Sequence, residues 1–420
     1  MKKLMVYSHD TFGMGNISRM LVICRHLLKS IQDLSILLVT GSPVIQSLRL
    51  SQRLDYIKLP CLTRTEYEAY SVKYLGTEID ETIQLRSDLI LSAAVNYKPD
   101  LLLVDKKPTG VKHELVATLN YLKRDNPDIN LALVLRDILD SPENTIRVWR
   151  KRGYYDTIQV FYDFLFVLGV PEVFDPRKEY SFPRSVSDKV RFCGYLRRES
   201  GTRGRSEIRA ELGLAEAEKL ILVTPGGGQD GFEIIATYIA SLPRVLAEHS
   251  VKSLIVCGPE MPEAERRTLY QMIRQDLNVS FHEFKNDFVS YVDAADVVVS
   301  MGGYNTICEL LSLKKRAVIV PRAEPAQEQY IRAERMQPFG LFTVIHPHHL
   351  APEVLVDALL RELNHTRDRM PLSRPDLDGL PRLADWVRTL LFSCQKVGSF
   401  ETTNSSLRDG RVYKAGKATA

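Results

Sequence analysis

The sequence predicts an α/β protein made of two similar halves, each a parallel β-sheet covered by helices. Short apolar runs alternate with amphipathic helical patterns along the chain, which is typical of βαβ units. A polar, basic segment at 197–206 interrupts this alternation, and the pattern then starts again. With 420 residues, 45% of them hydrophobic, the chain is long enough to form more than one core. Two halves joined in this way leave a cleft between them.

The short apolar runs predict the individual strands. In the first half these are Leu4–Ser8, Leu34–Thr40, Leu101–Asp105, Leu131–Asp137, Thr157–Tyr162 and Phe164–Leu168. In the second half they are Leu220–Thr224, Ser253–Cys257, Val279–Phe284, Asp296–Ser300, Arg316–Val320 and Leu341–Ile345. Apolar residues three and four apart predict amphipathic helices at Ile17–Ser30, Val111–Lys123 and Pro381–Phe392.

These patterns divide the chain into four parts. We predict an N-terminal Rossmann-like domain at 1–195, a C-terminal Rossmann-like domain at 196–375, and a helix at 376–394 that packs back toward the first domain. Residues 395–420 are rich in Ser, Thr, Gly and Lys, which predicts a disordered tail. The basic segment at 197–206 is interpreted as a solvated hinge rather than a phosphate-binding patch.

The composition excludes several classes of protein. Fifty-six Lys and Arg against 52 Asp and Glu leave a net charge of +4, which is too small to predict a nucleic-acid partner. The six cysteines form no C-x-x-C pair, so we predict no metal site and no disulfide framework, and we expect a reducing cytoplasm. No apolar run approaches the ~18 residues of a spanning helix. Any membrane contact is therefore expected to be peripheral, at the inner face.

Polar side chains follow several of the predicted strands in the first half. His9 and Asp10 come directly after the first strand, and Asp137 ends the fourth. Ligands of parallel α/β sheets bind outside the carboxyl ends of the strands. We therefore expect these side chains to face the cleft.

Two glycine-rich turns follow apolar strands in the second half. The first contains Gly226, Gly227 and Gly228 and precedes a predicted helix near Phe232. Glycine lets a backbone approach a ligand closely, and free N–H groups at a helix start favour an anion. The spacing matches neither a Walker motif nor a good dinucleotide fingerprint. Contact with a phosphate or an acceptor is favoured over a plain tight turn.

The second turn lies in the segment 300–309. Backbone N–H groups of Gly302, Gly303 and the following helix start are suited to a diphosphate. Thr306 and Glu309 also have the spacing of a capping box, in which they would satisfy the donors of the helix itself. From the spacing alone, Glu309 is equally compatible with a cap and with contacts to ribose hydroxyls.

The loop after the strand at 316–320 contains four polar side chains. Among them, Glu328 and Gln329 can pair with the vicinal hydroxyls of a sugar, because carboxylates and amides bind such groups in pairs. The alternative is a solvated helix start with Pro325 in its first turn. Taken alone, this loop favours the alternative.

Together, these elements resemble the two-domain GT-B glycosyltransferases, in particular the lipid-linked murein-precursor N-acetylglucosaminyltransferases and allied predicted glycosyltransferases. The residues that carry the match are the glycines 226–228, the segments 302–309 and 321–329, and Tyr7–Arg19 in the first half. The resemblance implies a GT-B fold, with two Rossmann-like domains whose parallel sheets face each other across a cleft. The first domain would bind an acceptor and the second a nucleotide-sugar donor.

By position, the resemblance also implies roles for individual residues of the second domain. Glu309 would hold the ribose, while Glu328 and Gln329 would bind the sugar hydroxyls. The complete set of predicted donor-binding residues is Gly226, Gly227, Gly228, Gly302, Gly303, Asn305, Thr306, Glu309, Glu328 and Gln329.

The first loop departs from the family pattern, which has a glycine pair followed by a histidine. Here the loop contains Gly13 and Gly15 followed by Asn16, and an asparagine cannot act as a base at neutral pH. We assign Gly13, Gly15, Asn16 and Arg19 to an acceptor or phosphate loop. The candidates for the catalytic base are His9, Asp10 and Asp137. A structural role stays open for His9 and for Asp137.

The function predicted from these residues is transfer of a hexose-type sugar from a nucleoside diphosphate-sugar to an acceptor hydroxyl. The resemblance implies a UDP-sugar donor and inversion at the sugar. Fixed N–H dipoles would stabilise the leaving diphosphate, so we predict no metal ion and no other cofactor. The acceptor, lipid-linked or a small molecule, stays open. A sugar-nucleotide epimerase or hydrolase of the same shape, and a non-catalytic nucleotide-sugar binding protein, are the alternatives.

Overall fold

The computed structural model describes residues 1–9, 15–47, 50–66, 69–274, 277–340, 342–364 and 375–392. Asp10, Gly13 and the predicted tail at 395–420 lie outside these residues. Within the described ranges, no helix is long and apolar enough to cross a bilayer.

The first domain contains a seven-stranded sheet in which all neighbouring strands are parallel. Its strands are β1 (Lys2–Ser8), β2 (Leu34–Thr40), β3 (Leu54–Lys58), β6 (Leu101–Asp105), β7 (Asn130–Arg136), β8 (Phe164–Leu168) and β9 (Val190–Phe192). A separate antiparallel hairpin consists of β4 (Leu62–Glu66) and β5 (Ala69–Val72). The helices are α1 (Gly15–Ser30), α2 (Ile79–Tyr97), α3 (Val116–Asp125), α4 (Pro142–Lys151), α5 (Tyr154–Phe161), α6 (Pro176–Glu179) and α7 (Arg184–Ser187).

The second domain contains a six-stranded sheet, again parallel throughout. Its strands are β10 (Lys219–Thr224), β11 (Val251–Val256), β12 (Val279–His282), β13 (Val297–Ser300), β14 (Arg316–Ile319) and β15 (Thr343–Val344). The helices are α8 (Arg205–Glu211), α9 (Phe232–Glu248), α10 (Glu263–Met272), α11 (Phe288–Ala294), α12 (Tyr304–Ser312), α13 (Glu328–Met336) and α14 (Pro352–Asn364). A final helix, α15 (Gly379–Phe392), follows.

The order of the strands creates one crevice in each domain. The first sheet runs β3-β2-β1-β6-β7-β8-β9 and the second runs β12-β11-β10-β13-β14-β15. Chain order therefore reverses between β1 and β6, and again between β10 and β13. Such switch points open a crevice at the carboxyl ends of the strands, where α/β proteins bind ligands. The prediction of two parallel Rossmann-like sheets is confirmed.

One predicted strand is wrong. Thr157–Tyr162 belongs to helix α5 and not to a strand. Its β-branched and aromatic residues favour a strand locally, but Tyr154 and Ile158 are buried four residues apart while Val160 is 67% exposed. That spacing places one helical face on the core. The predicted helix Val111–Lys123 is also interrupted, because Lys112 and His113 have positive φ angles between a short 3-10 turn and α3.

The basic segment between the domains is attached to the second domain. Arg198 donates from its backbone to the Ser312 hydroxyl at 2.8 Å, and Thr202 donates to Asp287. Arg205 pairs with Asp296 at 2.6 Å. These contacts anchor the segment to the second domain, while six of its ten residues are exposed to solvent, as predicted. Its role as a hinge stays a prediction.

The last helix returns to the first domain. Asn130 donates to the carbonyl of Leu390 at 3.1 Å, and Arg388 donates to the carbonyl of Ser30 at 3.0 Å. The rings of Phe164 and Trp386 lie 6.1 Å apart. Helix α15 thus packs on α1 and on the first sheet.

Candidate active site

Both glycine-rich turns begin at the switch point of the second sheet. Thr224 at the end of β10 is in register with Ser300 at the end of β13. The Ser300 hydroxyl donates to the Thr224 carbonyl at 2.6 Å, which ties the two strand ends together. The turns at 225–231 and 301–303 therefore leave the sheet side by side, as the predicted donor site requires.

The first turn is held by a second backbone turn at 257–258. Glu260 donates its backbone N–H to the Gly227 carbonyl at 2.8 Å. Gly228 has a φ of +102°, and a Cβ atom there would lie 2.2 Å from the carbonyl oxygen of Cys257. Close backbone packing thus explains Gly228 without a ligand. At Gly226, by contrast, a Cβ atom would meet no other atom within 4 Å, so this position faces open space.

The second turn leads into helix α12 without a side-chain cap. The helix begins at Tyr304, and Gly303 is its N-cap residue. Thr306 and Glu309 both lie inside the helix, so the capping-box alternative is wrong. A Cβ atom on Gly303 would have only the Thr306 hydroxyl within 4 Å, at 3.9 Å. Open space therefore lies beside Gly303 at the start of α12, and the N–H groups at a helix start can bind an anion.

Two predicted donor residues of α12 have different environments. Asn305 connects three parts of the chain, because it donates to the Gly15 carbonyl at 2.9 Å and accepts from Arg198 at 2.7 Å. Glu309 is half-buried, and within the described part of the chain its carboxylate makes no hydrogen bond. Burial raises the pKa of Glu309 to about 7, although the Arg198 cation opposes this shift. A carboxylate in this condition can accept bonds from hydroxyl groups of a ligand.

The two predicted sugar-binding residues both contact Arg322. Glu328 is buried and accepts from the Arg322 guanidinium at 2.9 Å, while its other oxygen, Oε2, has no hydrogen-bond partner among the described residues. The Gln329 side-chain oxygen accepts from the Arg322 backbone N–H at 3.1 Å. The same guanidinium also donates to Asp230, beside the first glycine turn. Arg322 and Asp230 were missed in the sequence, where nothing connects positions so far apart.

The crevice of the first sheet contains a compact group of charged residues. Asp105 at the end of β6 accepts from Arg19 with both oxygens, at 2.7 and 3.0 Å. His9 Nδ1 lies 3.8 Å from Asp105 Oδ2, and Asn16 donates to the His9 carbonyl at 3.3 Å. Arg19 of the predicted phosphate loop is therefore paired with a carboxylate. Gly15, at the start of α1, carries the carbonyl that accepts from Asn305.

The protonation states in this crevice are well separated. Burial lowers the pKa of His9 to about 4, against the opposing effect of Asp105. Burial alone would raise the pKa of Asp105, but Arg19 and His9 lower it to about 2. At neutral pH, His9 is thus a neutral imidazole beside an ionised carboxylate. This is the state in which a histidine can accept a proton.

This pKa of His9 gives a pH dependence of stability that can be measured. The unfolded chain protonates this histidine below about pH 6.5, while the folded chain resists protonation down to about 4. Relative to a His9→Gln variant, the wild type should therefore lose roughly 3 kcal/mol of unfolding free energy between those pH values. Urea unfolding at several pH values tests this. Parallel curves for wild type and His9→Gln would contradict the assignment.

Asp137 is committed to an ion pair between the domains. Both of its oxygens accept from Arg332 of α13, at 2.7 and 2.8 Å, and Tyr195 donates to it at 3.0 Å. Arg332 also donates to the Gly302 carbonyl at 2.8 Å. Asp137 is 1% exposed. These contacts correct its proposed role as a base, because its oxygens are fully used and a proton would break the pair.

Comparison with known proteins agrees with this architecture. Residues 220–377 match the Glycosyltransferase family 28 C-terminal domain. A 185-residue stretch is 26% identical to the UDP-N-acetylglucosamine--N-acetylmuramyl-(pentapeptide) pyrophosphoryl-undecaprenol N-acetylglucosamine transferase of Geobacillus thermodenitrificans, covering 44% of this chain and 49% of that protein. The chain thus spans about half the length of the curated relatives it matches.

Solved structures match over nearly the whole chain. MurG from Acinetobacter baumannii superposes with a TM-score of 0.56 at 14% identity, over 93% of this chain and all of that one. The UDP-GlcNAc 2-epimerase from Methanocaldococcus jannaschii gives a TM-score of 0.59 at 12% identity, over 92% and 99% of the two chains. The protein therefore has the GT-B fold. Its predicted resemblance to MurG-like GT-B glycosyltransferases is confirmed.

Proposed function

We propose that the protein is a glycosyltransferase that moves a hexose-type sugar from a UDP-sugar to an acceptor hydroxyl. The observation that carries this proposal is the open N-terminus of α12 beside a second glycine turn, both at the switch point of the second sheet. In this arrangement, N–H dipoles point at the place where a leaving diphosphate gains charge. Such preorganised donors typically accelerate a reaction by ~10²–10³ each and can act without a metal ion.

The remaining donor contacts follow from the same geometry. Glu309 lies one turn beyond the start of α12, and its carboxylate is available for ribose hydroxyls. Glu328 Oε2 is buried and lacks a partner in the part of the chain that the structure describes, so a sugar hydroxyl would satisfy it. Gln329 retains its amide nitrogen for a neighbouring hydroxyl, since only its oxygen contacts Arg322.

The acceptor is proposed to bind in the crevice of the first sheet, with His9 as the base. Asp105 lies 3.8 Å from His9 Nδ1 and would stabilise the imidazolium formed when the acceptor hydroxyl loses its proton. Asp10 stays a second candidate, and it lies outside the described residues. The similar transferases act on pyrophosphoryl-undecaprenol acceptors. A lipid-linked acceptor reached from the inner face of the membrane is therefore the class to test first, ahead of a small molecule.

The role of Glu309 is tested by Glu309→Gln. The variant should bind UDP roughly tenfold more weakly, because a charged hydrogen bond to the ribose is lost. The free energy of unfolding of the same variant should increase, although its affinity for UDP falls. Burial raises the pKa of this carboxyl to about 7, so its ionisation destabilises the wild type above about pH 4.5, and the variant should be more stable by roughly 3 kcal/mol at pH 7. Calorimetry and thermal unfolding measure both effects.

The exposed Glu334 provides the control for this experiment. Glu334→Gln changes a carboxylate on the neighbouring helix α13 and should alter neither UDP affinity nor stability by more than a few tenths of a kcal/mol. An unchanged UDP affinity in Glu309→Gln would remove Glu309 from the donor site.

The activity itself is tested by incubating the protein with a panel of nucleotide sugars, with and without a lipid extract and a polar acceptor extract. Release of free nucleoside diphosphate that depends on the acceptor supports transfer. Turnover without an acceptor would instead show an epimerase or hydrolase. Saturable binding without any turnover would show a nucleotide-sugar binding protein.

A further inference from the structure

Two basic residues in the cleft, Lys106 and Arg136, form no salt bridge with any of the residues that the structure describes. Lys106 follows β6 and Arg136 ends β7, and the two strands are neighbours in the first sheet. The Lys106 backbone donates to the Val134 carbonyl at 2.8 Å, which places it next to the end of β7. Across the described ranges, neither side chain forms a salt bridge or a side-chain hydrogen bond, and Arg136 Nε is buried without a partner.

The surrounding charges do not neutralise this pair. Asp105 is paired with Arg19, and Asp137 is paired with Arg332. Glu328 is the acidic group that approaches from the second domain, and it already shares its charge with Arg322. Burial, followed by repulsion from Arg136, lowers the pKa of Lys106 to about 7. Burial also lowers the pKa of Arg136, and Arg19 and Arg332 add to this effect.

The backbone at Lys106 is also unusual. Its φ is +61°, a conformation that L-residues other than Asn and Asp rarely adopt. The neighbouring Lys107 is held by a 2.6 Å hydrogen bond to Tyr70. Residues in strained backbone conformations are concentrated at ligand-binding and active sites. The strained backbone of Lys106, next to Arg136, therefore indicates a ligand site.

We propose that Lys106 and Arg136 form a binding site for an anionic group, a phosphate or a carboxylate, separate from the donor diphosphate site on α12. The inference rests on the proposed function for the source of that anion. Glu328, a predicted sugar ligand, faces the same pair. The anion is therefore carried either by the acceptor or by the donor sugar, as in a uronic acid.

Calorimetric titration with inorganic phosphate, in the presence of saturating UDP, tests the site itself. UDP occupies the diphosphate site, so any remaining phosphate binding reports another position. Lys106→Gln and Arg136→Gln should each weaken phosphate binding roughly 10- to 100-fold, because each removes a charge-assisted hydrogen bond. Lys98→Gln and Arg244→Gln are matched controls at exposed positions, and Lys98 has a similar positive φ of 52°. The controls should bind phosphate as the wild type does.

A second measurement separates this site from a structural role. Without any anion, Lys106→Gln should raise the melting temperature at pH 7, because it removes a buried and repelled cation. Phosphate should then raise the melting temperature of the wild type and leave that of the variant unchanged. A lower melting temperature for Lys106→Gln, equal phosphate binding by variants and wild type, or no phosphate binding by the wild type would each overturn the proposal.

The affinities of wild type and variant for two UDP-sugars show whether the donor sugar or the acceptor carries the anion. If the donor sugar carries it, Lys106→Gln should reduce the affinity for UDP-glucuronate roughly tenfold while affinity for UDP-glucose is unchanged. If the acceptor carries it, both donors should bind the variant as they bind the wild type. Phosphate binding that persists when no UDP-sugar binds would leave the anion site intact and contradict only the proposed glycosyltransferase function.

Discussion

Arg332→Met is expected to destabilise the protein by about 3–5 kcal/mol, because it leaves the buried Asp137 carboxylate without its partner. The pair is fully desolvated, with side chains 0% and 1% exposed, and it joins α13 of the second domain to the end of β7 in the first. Arg332 also binds the Gly302 carbonyl, so its loss should loosen the second glycine turn as well. Urea unfolding measures the change in stability.

The same helix provides a matched control. Arg335 also pairs across the domains, with Glu179 at 3.0 Å, but the two side chains are 48% and 27% exposed. Arg335→Met should therefore change stability by less than about 1 kcal/mol. The double variant Arg332→Met, Asp137→Leu removes both charges and should regain much of the lost stability. Equal effects of Arg332→Met and Arg335→Met would show that the buried pair does not hold the domains together.

Gly228→Ala is expected to distort the donor site. A methyl group there would lie 2.2 Å from the Cys257 carbonyl oxygen, which is backbone and cannot rotate away. The positive φ of Gly228 adds strain of about 1–2 kcal/mol. Since the displaced turn lies beside the start of α12, affinity for UDP should fall by roughly tenfold or more, about 1.4 kcal/mol.

A substitution at a second glycine separates the effect of backbone strain from the effect of the steric clash. Gly213 follows α8, has a φ of +67°, and would place its Cβ in open space. Gly213→Ala should therefore lower stability by the strain alone and leave UDP affinity unchanged. If Gly228→Ala binds UDP as the wild type does, the first glycine turn does not shape the donor site.

The sequence was sufficient to predict all six strands of the second sheet, five of the seven strands of the first, and the positions of both glycine turns, but β3 and β9 were not predicted. Buried parallel strands are continuous apolar runs, and the turns at 226–228 and 302–303 directly follow such runs. The strand predicted at Thr157–Tyr162 is wrong because short segments rich in β-branched and aromatic residues fit either a strand or one face of a helix. Only packing of Tyr154 and Ile158 against the core decided between them.

The pairings across the cleft could not be predicted, because they join residues far apart in sequence. In the sequence, Asp137 is a polar residue at the end of a predicted strand. No neighbouring residue in the sequence indicates that Arg332 donates to both of its carboxylate oxygens. Arg322 was likewise not associated with Asp230. Lys106 and Arg136 were visible in the sequence at the ends of two strands, but only the structure shows that the described carboxylates around them are paired with other residues.

A crystal structure with UDP bound tests the central claim most directly. We expect the diphosphate oxygens within about 2.7–3.2 Å of N–H groups at the start of α12, beside Gly303, with the ribose hydroxyls on Glu309. Nucleotide seated in the first-domain crevice at Asp105, or no bound nucleotide at millimolar concentration, would contradict the assignment of the donor site to the second domain.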